Sequence, residues 1–108
     1  MNEQNQPWYG VKALFSHSDQ LLEERIIVIK AQSFDDAQAQ AIKNAEAYTG
    51  SLDNAKFVAI ADIFHVFDET IESGTEVYSR MNEVEGDVNK YIESHYEDKE
   101  WELVYKTI

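Results

Sequence analysis

Apolar and polar positions divide the chain into runs of three kinds. Trp8 to His17, WYGVKALFSH, is dominated by aromatic and β-branched residues with no internal proline, which predicts a first strand. Ser18, Asp19 and Gln20 supply turn chemistry, and Glu24 to Gln32, with the unbroken run Ile26 to Ile29, predicts a second. So short a connection favours an antiparallel hairpin. The period then changes. Phe34, Ala37, Ala41, Ala45 and Tyr48 recur at intervals of three and four, with Ile42 beside them, while Gln38, Gln40, Lys43 and Glu46 lie elsewhere on the wheel. This is an amphipathic helix whose alanine-rich face suits close packing on a sheet. Ser33, followed three residues later by Asp36, has capping-box spacing, and Asp35 and Asp36 favour the positive end of the helix dipole. Gly50 is its expected stop, in the left-handed conformation common just past a helix.

Ala55 to Asp68, AKFVAIADIFHVFD, is apolar at both parities and predicts a central strand. Glu69 to Gly74 carries a turn, Thr75 to Asn82 reads as a fourth strand, and Gly86 with Asp87 breaks the chain and caps a second helix containing Val88, Tyr91, Ile92 and His95 or Tyr96 on one face. The last eight residues, WELVYKTI, alternate and suit a fifth strand or a docked tail. The expected fold is therefore α+β: a polar, disordered lead-in over 1–7, a ββαββ core over 8–82 with an antiparallel sheet of four or five strands, and an acidic C-terminal helix and tail over 83–108 docked on that core.

Strand parity raises a question about cover. In the third predicted strand Phe57, Ala59, Ala61, Ile63, His65 and Phe67 share one side, and Val58, Ile60, Asp62, Phe64, Val66 and Asp68 the other. In the second, Ile26 and Val28 oppose Ile27 and Ile29. One helix covers one face only, so the other requires residues 86–108, a second copy of the chain, or a different partner.

Charge narrows the partners. Nine Lys and Arg against 21 Asp and Glu give a net charge of −12 in 108 residues, which repels nucleic acid and anionic membranes and attracts basic surfaces. Half of that charge, −6, lies between Glu83 and Glu102, and Glu69, Glu72 and Glu76 precede it. Glu69, Glu72, Glu93, Glu97, Asp98 and Glu100 are the expected docking set for a basic partner, set against the plainer reading of a solvated, solubilising surface. There is no cysteine, so disulfides and thiolate chemistry are excluded. No export signal is visible and no apolar run suits a membrane span, so a cytoplasmic location is the expectation.

Catalytic chemistry is hard to assemble from these residues. Asp62 and His65, three apart on a strand, face opposite sides and form no site. Asp62 alone, between Ile60 and Phe64, needs a partner, for which Arg25 and Arg80 are the candidates in a structural ion pair. His17 and His95 lack a second ligand at metal-binding spacing and read as solvated, and Glu93 with Glu97 reads as surface charge. Ser16, Ser79 and Ser94 have no nucleophile-elbow context, and no phosphate-cradling glycine motif occurs. No metal or cofactor is expected, and the balance leans away from an enzyme.

The pieces WYGVKALF, EERIIVIKAQSFDDA, VAIADIFHVFDE and GTEVYSR, in that order from Trp8 to about Arg80, resemble the DUF4288 family of small, mainly bacterial proteins of unknown function. The resemblance brings no catalytic residues. The family pattern includes Glu23, Glu24 and Arg25, then Asp62, and Glu76 with Ser79 and Arg80, which mark either a shared polar site or shared structural pairs. The segment after Asn82 lies beyond the pattern. The resulting expectation is a non-catalytic acidic binding module, of the immunity or antitoxin kind, that masks a basic toxin or nuclease surface. Its alternatives are a small-molecule-binding or enzymatic domain using Glu24, Arg25, Asp62, Glu76 and Arg80, and a structural or regulatory homodimer.

Overall fold

The structure, a computed structural model, describes residues 6–97, 103–105 and 107. Its elements are β1 (Trp8–Ser18), β2 (Leu21–Lys30), α1 (Phe34–Gly50), β3 (Lys56–Val66) and α2 (Val88–Tyr96). The class is α+β, with an antiparallel sheet in the order β2-β1-β3. β1 and β2 form the expected hairpin, and α1 crosses the sheet to deliver β3 to the other side of β1.

The helix face holds the core. Tyr9, Val11, Ala13 and Phe15 alternate along β1 toward α1 and meet Ala37, Ala41 and Ala45, each at most 2% exposed. Three methyl side chains at helical spacing let the helix backbone approach the sheet, and aromatic edges close the two ends: Tyr9 against Phe34 at 5.0 Å and Phe15 against Tyr48 at 5.0 Å. Ser33 caps α1 by accepting from the Asp36 amide at 3.1 Å. The end of α1 is made differently from the expectation: Gly50 is still helical without a positive φ, and Ser51 caps the helix, its hydroxyl donating to the Tyr48 carbonyl at 2.9 Å.

The fourth strand is not formed. Thr75 to Asn82 has no ladder partner among the described residues, and the sheet has three strands rather than four or five. The segment crosses the sheet's second face instead of lying beside an edge: a Cβ added at Gly10 would sit 1.6 Å from the Val77 carbonyl oxygen. Thr75 to Arg80 does not alternate: adjacent Val77 and Tyr78 are both half-buried, while Glu76, Ser79 and Arg80 are exposed, a pattern of local contact along a strap rather than of strand pairing. A fifth strand over 101–108 falls largely outside the described residues; positions 103–105 and 107 carry no strand.

Two register shifts in β3, between its partners Lys12 and Ala13 and between Leu14 and Phe15, leave Ala61 and Val58 without opposites on β1. They revise the parity census. Ile60 joins Ile63 on the helix face, while Val58 is left 58% exposed. The lead-in is described only at Gln6 and Pro7, and the Pro7 carbonyl accepts from the Ala31 amide at 3.1 Å, which ties it to the end of β2.

Candidate functional site

The second face is where the polar residues converge. Even-numbered residues of β1 point there, and Lys12, the lone cation in the run WYGVKALF, stands opposite Ile26 on β2 and Asp62 on β3. Its ammonium bridges to Glu24 Oε1 at 3.0 Å and lies 5.8 Å from the centre of the Tyr78 ring. Tyr78 in turn donates its hydroxyl to Asp62 Oδ2 at 2.9 Å, while Asp62 Oδ1 accepts from the Ile63 amide. The strap over 75–80 is thus stitched to the sheet by a backbone contact at Gly10 and a side-chain bond at Asp62. The Glu24 carboxylate holds Lys12 protonated above its ordinary range, and burial, then the bond to Asp62, pushes the Tyr78 phenol up.

Beside these residues lies an open groove of about 850 Å³, lined by Lys12, Glu24 and Tyr78, by Ser79, Arg80, Asn82 and Glu83, and by Tyr91, His95 and Tyr96 of α2. Asp87 starts α2 by accepting from the Asn89 amide, and the helix stands out from the fold with no buried residue. His95 is exposed, as expected of a solvated histidine, but it also stacks on Tyr91 with ring centres 3.9 Å apart and its Nδ1 is 3.0 Å from the Tyr91 carbonyl. Arg80, at the bend of the groove, makes no hydrogen bond or ion pair among the described residues.

A second network occupies the opposite, helix face. His17 Nε2 lies 2.7 Å from Glu23 Oε1, and the Tyr48 hydroxyl reaches both Glu23 oxygens at 2.9 Å. Arg25 lies 4.0 Å over the Tyr48 ring and donates to Asn44 at 3.0 Å. The bond from His17 and then that from Tyr48 hold the Glu23 carboxyl below its usual range, and Glu23 raises Tyr48. This network clasps the hairpin end to the end of α1.

The expected polar set is therefore split. Glu24, Asp62 and Arg80 come to the second face, Arg25 goes to the helix face, and Glu76 is exposed on the strap. Asp62 is partnered by Tyr78 and not by Arg25 or Arg80, because the strap delivers a phenol where an ion pair was expected. His17 is paired with Glu23 rather than solvated. The acidic docking set is divided too: Glu69 and Glu72 share the loop hollow after β3, Glu93 is exposed on α2, Glu97 follows it, and Asp98 and Glu100 lie outside the described residues. Sequence reasoning missed Lys12 and Tyr78. Lys12 carries a signal, a single cation within an apolar strand, whereas nothing local in TEVYSR marks Tyr78 as the residue that reaches the sheet.

Among the described residues no group of three His, Cys, Asp or Glu is placed to hold a metal, and no helix is long and apolar enough to cross a membrane. Comparison of the chain with protein-family models, curated proteins and solved structures found no match.

Proposed function

We propose that the protein is an acidic protein-binding module whose contact surface is the groove between the strap and α2, and that its partner is a basic domain of the toxin or nuclease kind. The observation that carries this reading is the groove's composition: three tyrosines, and an arginine with no hydrogen bond or ion pair among the described residues, partly exposed, beside the segment that holds half of the net charge. Tyrosine and arginine dominate the energetic centres of protein interfaces because they bury large area with few rotamers and keep a polar tip. Glu83 lines the groove, and Glu85, Asp87 and Glu93, exposed close by in sequence, add to the charge that steers a basic partner. The expected companion is a larger protein, encoded next to this one, that ends in a toxic domain. Co-expression should abolish its toxicity, and Tyr91→Ala with Tyr96→Ala, both on an already exposed helix, should restore it without unfolding the chain. Unchanged neutralisation by that variant removes the groove from the interface.

Arg80 and Lys12 also favour a second reading, a site for a small anionic ligand within the same groove. Thermal shift with a panel of simple carboxylates and phosphates separates the two, since only this reading predicts stabilisation that Arg80→Gln removes.

A further inference from the structure

The two outer edges of the sheet are unlike. β3 presents a broken edge, with register shifts that leave Ala61 and Val58 out of the ladder, a common guard against strand addition. β2 has none of this. From Leu22 to Lys30 it pairs with β1 without a shift, no strand among the described residues covers its other side, and Leu22, Ile26 and Val28 on its second face are 61%, 46% and 39% exposed. From this we infer that β2 is a dimerisation edge, and that the occupant is β2 of a second copy, antiparallel about a two-fold axis, which joins two three-stranded sheets into one of six.

The second copy is singled out by complementarity of the strand with itself. A two-fold axis perpendicular to the sheet keeps each residue on its own face, so paired residue numbers must sum to an even value and the axis passes through one residue. With the axis at Ile27, Ile26 meets Val28 and Glu24 meets Lys30 on the second face, each pair occurring twice, while on the helix face Arg25 lies opposite Ile29. The neighbouring choices are worse. An axis at Glu24 or Arg25 sets like charges against each other, one at Ile26 sets Glu24 against Val28 and Glu23 against Ile29, and one at Val28 sets Lys30 against Ile26. On the second face, only this register joins apolar to apolar and opposite charge to opposite charge at once. Both α1 helices then lie on the same side of the joined sheet, and the groove beside α2 remains open in each copy.

The test uses the full chain. Sedimentation equilibrium across the micromolar range should show a monomer-dimer equilibrium. Lys30→Glu and Glu24→Lys should each weaken it by about tenfold or more, while an equimolar mixture of the two variants should associate again, because each then supplies the charge the other lacks. Val28→Lys, on an exposed position, should abolish it. As the chain has no cysteine of its own, Ile27→Cys should form a disulfide-linked dimer under mild oxidation and Leu22→Cys, far from the axis, should not. A monomer at every concentration overturns the inference. So does a dimer that survives Val28→Lys, or one cross-linked as readily at position 22 as at 27.

Discussion

Replacing Gly10 by alanine tests how the second face is covered. The new Cβ would lie 1.6 Å from the Val77 carbonyl oxygen and 2.8 Å from its carbon, against a floor of 3.0 Å for real contacts, so the strap must retreat by roughly 1.4 Å (3.0 − 1.6). The obstacle is backbone, and no side-chain rotation relieves it. Either the strap stays and the site is overpacked, which costs about 1–3 kcal/mol, or it lifts and forfeits the Tyr78–Asp62 bond, worth about 1.5–3 kcal/mol for a charged acceptor and toward the lower end at this half-exposed site. The cheaper route sets the result, so the expected loss is about 1–3 kcal/mol, or roughly 5–15 °C in melting temperature for a domain of this size. Urea unfolding gives the energy, and amide hydrogen exchange over 75–80 shows which route is taken. Gly50→Ala is the matched control: nothing lies within 4 Å of its added Cβ and the position is helical, so it should be neutral or stabilise by about 0.5–1 kcal/mol. Gly10→Ala with wild-type stability and unchanged protection of the strap would refute the reasoning.

Tyr78→Phe keeps the ring and loses only the hydroxyl, so it should cost about 1.5 kcal/mol in urea unfolding and raise exchange in the strap, while leaving α1 protected. Because Glu23 has a folded pKa below its ordinary value of 4.5, the stability it contributes is present above about pH 4.5 and disappears as pH falls through the depressed value; urea melts of wild type and Glu23→Gln should differ at neutral pH and converge in acid, and a constant difference would contradict the network. Ala41→Leu forces a larger side chain between α1 and β1 where Ala41 is 1% exposed, and should destabilise by about 1–3 kcal/mol, with calorimetry as the check.

The hairpin, α1 and its Ser33 cap, and the start of α2 at Asp87 were legible because each rests on local chemistry: β-branched runs, a three-four period, a side-chain acceptor at the right spacing. What escaped depends on who sits opposite. The β-prone pair Val77-Tyr78 between polar neighbours suits a strand beside a sheet as well as a strap lying across it, and the close approach at Gly10 is what separates the two. The β3 bulges shift parity midway through an apolar run, and nothing local in AKFVAIADIFHVF marks where, so simple alternation puts Ile60 on the face opposite to Ile63. The same limit hid the site. A carboxylate between Ile60 and Phe64 needs a partner, but Tyr78 is sixteen residues away and reaches Asp62 through the close approach that Gly10 permits. Likewise Glu23 and Tyr48 meet only because α1 crosses back over the hairpin.

The claim that the protein is a steered, acidic binding module is tested most directly by stopped-flow association with the toxic domain of its expected neighbour, measured against ionic strength. The rate should fall steeply as salt shortens the Debye length from about 30 Å at 0.01 M to about 10 Å at 0.1 M. A variant with Glu83, Glu85 and Glu93 replaced by Gln should start slower and lose most of that salt dependence, with stability within about 0.5 kcal/mol because all three are exposed. A rate indifferent to both salt and the substitutions would contradict the account.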